Sequence, residues 1–302
     1  MSNKEVEIYL VDAFTNVIGE GNRAGVVFDA DGLTAAQMQA IAAFANVSET
    51  AFMCSPSDSS THDVHVRYFT PTSEVPICGH ATIASHYLRT KRLNLSSSNV
   101  LAMTGVGILP VDIQRDKESI NIVMTQGTPE MGDVLSPEHE AEALTALGLT
   151  AEDRNAALPV QFSSTGHGKV IIPLLSIQTL HNINPDFEAL KTLTNKIDHT
   201  GYFVMIVMED DAPYKTHGRM FAPAIGINED PVTGNGNGPA GLYLSHHNQL
   251  QFDDSISYNA IQGEAMGKAG VINVRVFKEN GEITKVQVAG LAIEAGTLKF
   301  EL

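Results

Sequence analysis

The sequence predicts an α+β protein made of two similar domains, each a bent β-sheet or barrel curled about one central helix. Three observations carry that expectation. The chain repeats itself: Arg67-Tyr-Phe69-Thr-Pro71, Pro76-Ile-Cys78-Gly79-His80 and a small-residue run ending at Leu88 return, in the same order, as Arg219-Met-Phe221-Ala-Pro223, Pro231-Val-Thr233-Gly234-Asn235 and a run ending at Leu244. A period near half the chain means two copies of one domain, because solenoid repeats span only about 20–50 residues. The runs 81–88 and 239–244 are small or apolar almost all round, as buried helices are. Around them the strands are short and frequent, which fits a curled sheet better than a doubly wound parallel fold.

Residues 5–12 alternate into a first strand and 24–28 form a second. Thr34-Ala-Ala-Gln37 is a capping box, in which each side chain satisfies a backbone N–H of the other. It opens a helix running to about Asn46 with Met38, Ile41, Ala42 and Ala45 on one face. Strands are expected over 50–54 and 64–69. Arg89, Lys91 and Arg92 put positive charge at the C-terminal end of the first central helix, where the helix dipole favours it. Residues 125–140, with Gly127, Pro129, Gly132, Ser136 and Pro137, read as the crossing between copies. Helices follow over 140–147 and 187–197, and 286–302 alternates as terminal strands around Gly290 and Gly296. The first domain is expected over 1–126 and the second over 127–287, with the last strand, about 288–302, packing back onto the first. Fainter echoes support the duplication: Gly21-Asn22 before Val26-Val27-Phe28 parallels Gly166-His167 before Val170-Ile171-Ile172.

Nineteen basic against 35 acidic residues leave a net charge of −16, which repels phosphate backbones and anionic membranes. No nucleic-acid or membrane partner is expected. The first ten residues lack a charged lead into an apolar core, and no stretch approaches the roughly 18 apolar residues of a spanning helix. Cys54 and Cys78 make no CxxC pair or disulfide framework. The chain reads as cytoplasmic.

A duplication places chemistry where the copies differ, in a cleft faced by the same loop from each. Those differences are Glu49, Cys78-Gly79-His80 and residues 230–235. Glu49 lies where a helix hands over to an apolar strand, and burial there would suit a general base or acid. Gly79 would allow a tight turn, leaving the N–H groups of a helix start to face a carboxylate ligand. His80 reads either as a site residue or as a capping or packing one, and Cys78 either as a low-pKa thiol or as a small buried hydrophobe. Asp230 could cap its turn, while Thr233, Gly234 and Asn235 suggest a second anion-binding loop. Gly236-Asn-Gly238-Pro-Ala-Gly241 fits GxGxxG but follows no strand and precedes no strand ending in an acid about 20 residues on, so nicotinamide binding is rejected. No metal-ligand spacing, GxSxG elbow or Schiff-base lysine setting appears, and cofactor-free acid–base chemistry is expected.

At these residues the chain resembles the PhzF-like family, named for a phenazine-biosynthesis isomerase, and more distantly diaminopimelate epimerase and proline racemase. Val11-Asp12-Ala13-Phe14-Thr15, Gly21-Asn22, Ser48-Glu49-Thr50-Ala51-Phe52, Arg67-Tyr-Phe69-Thr-Pro71, Cys78-Gly79-His80-Ala81-Thr82 and Glu229-Asp230-Pro231-Val-Thr233-Gly234 match its pattern nearly end to end. The nearest look is to its uncharacterised bacterial members of the YddE type. The resemblance implies a duplicated diaminopimelate epimerase-like fold and a homodimer, with Glu49 moving the proton. His80 and Asp230 would then bind and orient a small carboxylated substrate, with Asn22, Cys78, Gly79, Thr233, Gly234 and Asn235 around it. Asn235 falls where the phenazine enzyme carries a serine. The distant racemases use two facing thiols, but Cys78 aligns with Thr233, so one thiol is missing. The expected reaction is an isomerisation by proton shift; an epimerase or a binding protein of the same fold are the alternatives.

Overall fold

The computed structural model describes residues 5–117, 119–199 and 201–302. The leader reading falls partly on residues 1–4, outside these. The chain divides into two compact units, one of residues 1–125 with 289–302 and one of residues 126–288.

In the first unit the order is β1 (Glu5–Ala13), β2 (Asn22–Val27), α1 (Ala35–Ala45), β3 (Thr50–Cys54), β4 (Val64–Phe69), β5 (Glu74–Val75), α2 (Gly79–Arg92), β6 (Ser98–Thr104), β7 (Gly107–Arg115) and β8 (Ile120–Thr125). The capping box forms as read: Thr34 accepts from the Gln37 N–H and Gln37 reaches back to the Thr34 N–H. Asn46 closes α1 in the left-handed conformation, and the four expected residues are the buried ones. β1 pairs antiparallel with β2, β2 parallel with β3, β3 antiparallel with β4, and β4 parallel with β6. β6, β7 and β8 continue antiparallel. α2 packs against β1, β2, β3, β7 and β8, so the sheet curls around it. Its buried threonines bond their own helix: Thr82 Oγ1 donates to the Cys78 carbonyl at 2.7 Å and Thr90 Oγ1 to the His86 carbonyl at 2.7 Å.

The second unit contains β9 (Pro129–Val134), α3 (Pro137–Ala146), β10 (Gln161–Thr165), β11 (Lys169–Leu174), α4 (Ile177–Asn182), α5 (Phe187–Ile197), β12 (Tyr202–Val207), β13 (Thr216–Ala222), β14 (Ile227–Asp230), α6 (Gly234–His246), β15 (Ser255–Gln262), β16 (Gly270–Glu279) and β17 (Glu282–Gly290), whose last two residues fall in the first unit. Its pairings repeat those of the first: β10 antiparallel to β11, β11 parallel to β12, β12 antiparallel to β13, β13 parallel to β15, β15 antiparallel to β16. α6 packs on β9, β10, β11, β12 and β16. The final strand, β18 (Ala292–Glu301), pairs antiparallel with β1.

The stretch 125–140 departs from expectation. It holds β9, paired with β10, and the first turn of α3, which begins earlier than read because Ser136 caps it and Pro137 occupies its first position. Pro129 is tolerated as the first residue of a strand, where a missing N–H costs little.

Candidate active site

The repeated Arg–Phe strands do the same work in both units. Arg67 on β4 forks onto Glu74 of β5 at 2.7 and 2.8 Å, and Arg219 on β13 forks onto Glu229 of β14 at 2.8 and 2.8 Å. Each fork ties down the strand leading into the turn before a central helix. Arg219 is the more buried and also donates to the carbonyls of Leu180, His181 and Ile183. Bidentate pairs of this kind fix orientation as well as charge.

In the first unit Glu49 occupies the junction between α1 and β3, and its backbone carbonyl accepts from the Gly25 N–H at 3.0 Å. Its side chain is 13% exposed. Oε2 is buried without a hydrogen-bond partner, although His80 Nε2 lies 3.3 Å away. His80, the second residue of α2, sits between three groups: Nε2 is 3.1 Å from Ser48 Oγ, and Nδ1 is 3.4 Å from Cys78 Sγ. It neither caps the helix nor packs as a plain core residue. The cap position belongs to Cys78, in extended backbone (φ −145°, ψ 120°) with no side-chain cap bond. Tyr68 OH meets Thr82 Oγ1 at 2.7 Å, and Thr82 holds the Cys78 carbonyl, so β4 anchors this turn from below.

Gly79 corrects the sequence reading. It has no positive φ and makes no strained turn; a Cβ there would meet nothing within 4 Å. Its effect is to leave open space before the start of α2. Asn22 is buried at the start of β2, opposite Ala13. Next to it Arg23 forks onto buried Asp12 at 2.6 and 2.9 Å, and its carbonyl accepts from Ser48 Oγ at 3.5 Å. Glu49, Cys78 and His80 offer donor atoms all within 4.8 Å of one another. Carboxylate, thiolate and imidazole are the donor types of a zinc site, a grouping that sequence spacing did not reveal.

In the second unit Thr233 caps α6 in the same extended conformation as Cys78 (φ −138°, ψ 132°), its side chain accepting from the Asn235 N–H at 3.2 Å. Capping therefore accounts for Thr233. The glycine richness also has a packing cause. A Cβ on Gly236 would stand 2.5 Å from the Phe203 ring, and one on Gly238 would stand 1.7 Å from Gln126 Oε1. Asn235 is half-exposed at the front of the helix. Asp230 ends β14, and its carbonyl accepts from Gln262 Nε2 at 2.7 Å.

Gln262 was missed in the sequence. It is 1% exposed, and its Oε1 accepts from the Thr233 N–H at 3.2 Å and from Asn237 Nδ2 at 2.8 Å. One amide thus ties Asp230, Thr233 and Asn237 together. Ser48 was missed likewise. A separate cavity of about 410 Å³ in the first unit, lined by Cys54, Asp63 and Arg89 among others, contains none of the candidates.

Residues 11–296 match the family described as "Phenazine biosynthesis-like protein". The chain is 44% identical over 288 residues to the uncharacterized isomerase YddE of Escherichia coli strain K12, covering 95% of each. It is 29% identical over 288 residues to trans-2,3-dihydro-3-hydroxyanthranilate isomerase of Pseudomonas chlororaphis, covering 95% of this chain and 96% of that one. The solved structure of the Bacillus anthracis phenazine biosynthesis protein of the PhzF family superposes with TM-score 0.91 at 31% identity, over 99% of this chain and 100% of that one. In fold alone, a hydroxyproline epimerase from Agrobacterium vitis is similar, with TM-score 0.62 at 11% identity over 99% and 93% of the two chains.

Proposed function

The chain belongs to the phenazine biosynthesis-like family and is an isomerase, and on that premise we propose that it shifts a proton within a small carboxylated metabolite by acid–base catalysis, without a metal or organic cofactor. The observation that carries the reading is the Glu49 carboxylate, with one oxygen buried and unbonded beside the His80 imidazole. A buried acceptor lacking a hydrogen bond is costly, and a proton taken from substrate would satisfy it. Glu49 removes a proton from a carbon next to an unsaturated or carboxylate group and returns one at another carbon, while the double bond moves between them. His80, beside Glu49, binds and orients the substrate. Positioned proton transfer of this kind contributes about 10²–10⁴ in rate.

The test is incubation in D₂O with a panel of small acids: the dihydro-hydroxyanthranilate on which the Pseudomonas relative is named to act, other hydroxylated dihydro-aromatic amino acids, and simple amino and hydroxy acids. Label at one carbon of a rearranged product supports the proposal. Label with inversion at a single centre would replace it with epimerisation, a reading for which Cys78 has no thiol at the matching position Thr233. Binding without label would leave a metabolite-binding protein.

A further inference from the structure

Glu49, Cys78 and His80 form a donor set that the proposed reaction uses only in part. Zinc bonds of about 2.0–2.1 Å to nitrogen or oxygen and about 2.3 Å to sulfur, set tetrahedrally, place neighbouring ligand atoms about 3.3–3.6 Å apart. His80 Nε2 stands 3.3 Å from Glu49 Oε2 and 3.9 Å from Cys78 Sγ. One donor atom from each of the three residues lies within 4.8 Å of the others, so the set closes on a single ion by small side-chain movements. Oε2 is buried and unbonded, and a cation satisfies it as a proton would. Ser48 Oγ, 3.1 Å from Nε2, frees that nitrogen by keeping to the Arg23 carbonyl at 3.5 Å. Cys78 forms no disulfide, and three protein ligands leave a fourth position for water. The second copy offers no such set, with Thr233 and Asn235 at the positions of Cys78 and His80.

We propose that Glu49, Cys78 and His80 bind one Zn²⁺ and that the bound ion switches the isomerase off. The inference rests on Glu49 being the base. The Oε2 lone pair that takes a proton from substrate is the one that holds the metal, so the two occupants exclude each other. Thiolate and imidazole select the ion: Mg²⁺ and Ca²⁺ prefer oxygen shells, whereas a mixed sulfur, nitrogen and oxygen set suits Zn²⁺. The net charge of −16 draws cations toward the chain.

Two readouts on the full chain test this. Metal-stripped wild type, Cys78→Ser, Glu49→Gln and Cys54→Ser are titrated with Zn²⁺ alone by calorimetry, and with Co²⁺ as a coloured substitute. The expected wild-type result is one ion per chain, undisturbed by excess Mg²⁺, with a thiolate-to-cobalt charge-transfer band in the near ultraviolet. Cys78→Ser should lose that band, and Cys78→Ser and Glu49→Gln should each bind Zn²⁺ at least about tenfold more weakly. Cys54→Ser, which removes the other thiol, should keep the band and the affinity, and circular dichroism checks that each variant is folded without metal. No ion bound by the wild type, or a band that survives in Cys78→Ser, would overturn the proposal. Deuterium exchange into the compound that the panel identifies is then followed with the metal-free chain and with one equivalent of Zn²⁺. Exchange should fall at least about tenfold with the ion and return when a chelator removes it. Equal rates with and without bound Zn²⁺ would overturn the switch. One ion bound by a chain that exchanges nothing when metal-free would support the metal site and overturn the reaction reading, and the switch with it.

Discussion

His86 shows how far this protein lets a single residue depart from solution behaviour. It sits in the middle of α2, fully buried, with neither ring nitrogen bonded. Burial, helped by the charge of Arg89, holds its imidazole down to about 3. The folded state therefore keeps His86 neutral, while the unfolded chain protonates it below about 6.5. Its share of stability is complete above pH 6.5 and is lost as pH falls from there toward 3. Urea melts should show the wild type losing roughly 2 kcal/mol more than His86→Leu between pH 7 and 5. Equal losses would contradict the burial argument. At this scale the sequence singled out Glu49, His80 and Asp230 because each breaks the repeat. It hid Ser48, 32 positions from His80, and Gln262, 29 positions from Thr233, because no local spacing announces a contact across the fold.

Elements were the most legible level. α1 carries its own start in Thr34 and Gln37, its stop in Asn46 and its buried face in four spaced residues. The stretch around β9 was not legible, since Pro129, Gly132 and Pro137 have the composition of a loop and only pairing with β10 makes a strand there. α6 was legible as a buried helix, but the packing role of Gly236 and Gly238 was not. They make room for Phe203 and Gln126. Gly236→Ala should accordingly destabilise the protein by about 1–3 kcal/mol, since the ring of fully buried Phe203 cannot step aside as a side-chain tip can. Denaturant melts check this; a change within ±0.5 kcal/mol would show that the ring shifts freely.

For the molecule as a whole, duplication is the organising fact. The same succession of antiparallel and parallel pairings, the same Arg–carboxylate fork and the same extended cap residue occur in each unit. Sequence divergence then assigns the copies different chemistry: a carboxylate, imidazole and thiol gathered in the first, and a capped turn clamped by Gln262 in the second. No helix of the described residues is long and apolar enough to cross a membrane. The proposed reaction turns on Glu49 carrying the migrating proton. Its most direct test compares deuterium incorporation from D₂O by the wild type and Glu49→Gln on the compound that the panel identifies. The expected rate for Glu49→Gln is at least a hundredfold lower, with the fold intact by circular dichroism. Incorporation at the wild-type rate would contradict it and turn attention to His80 and Cys78.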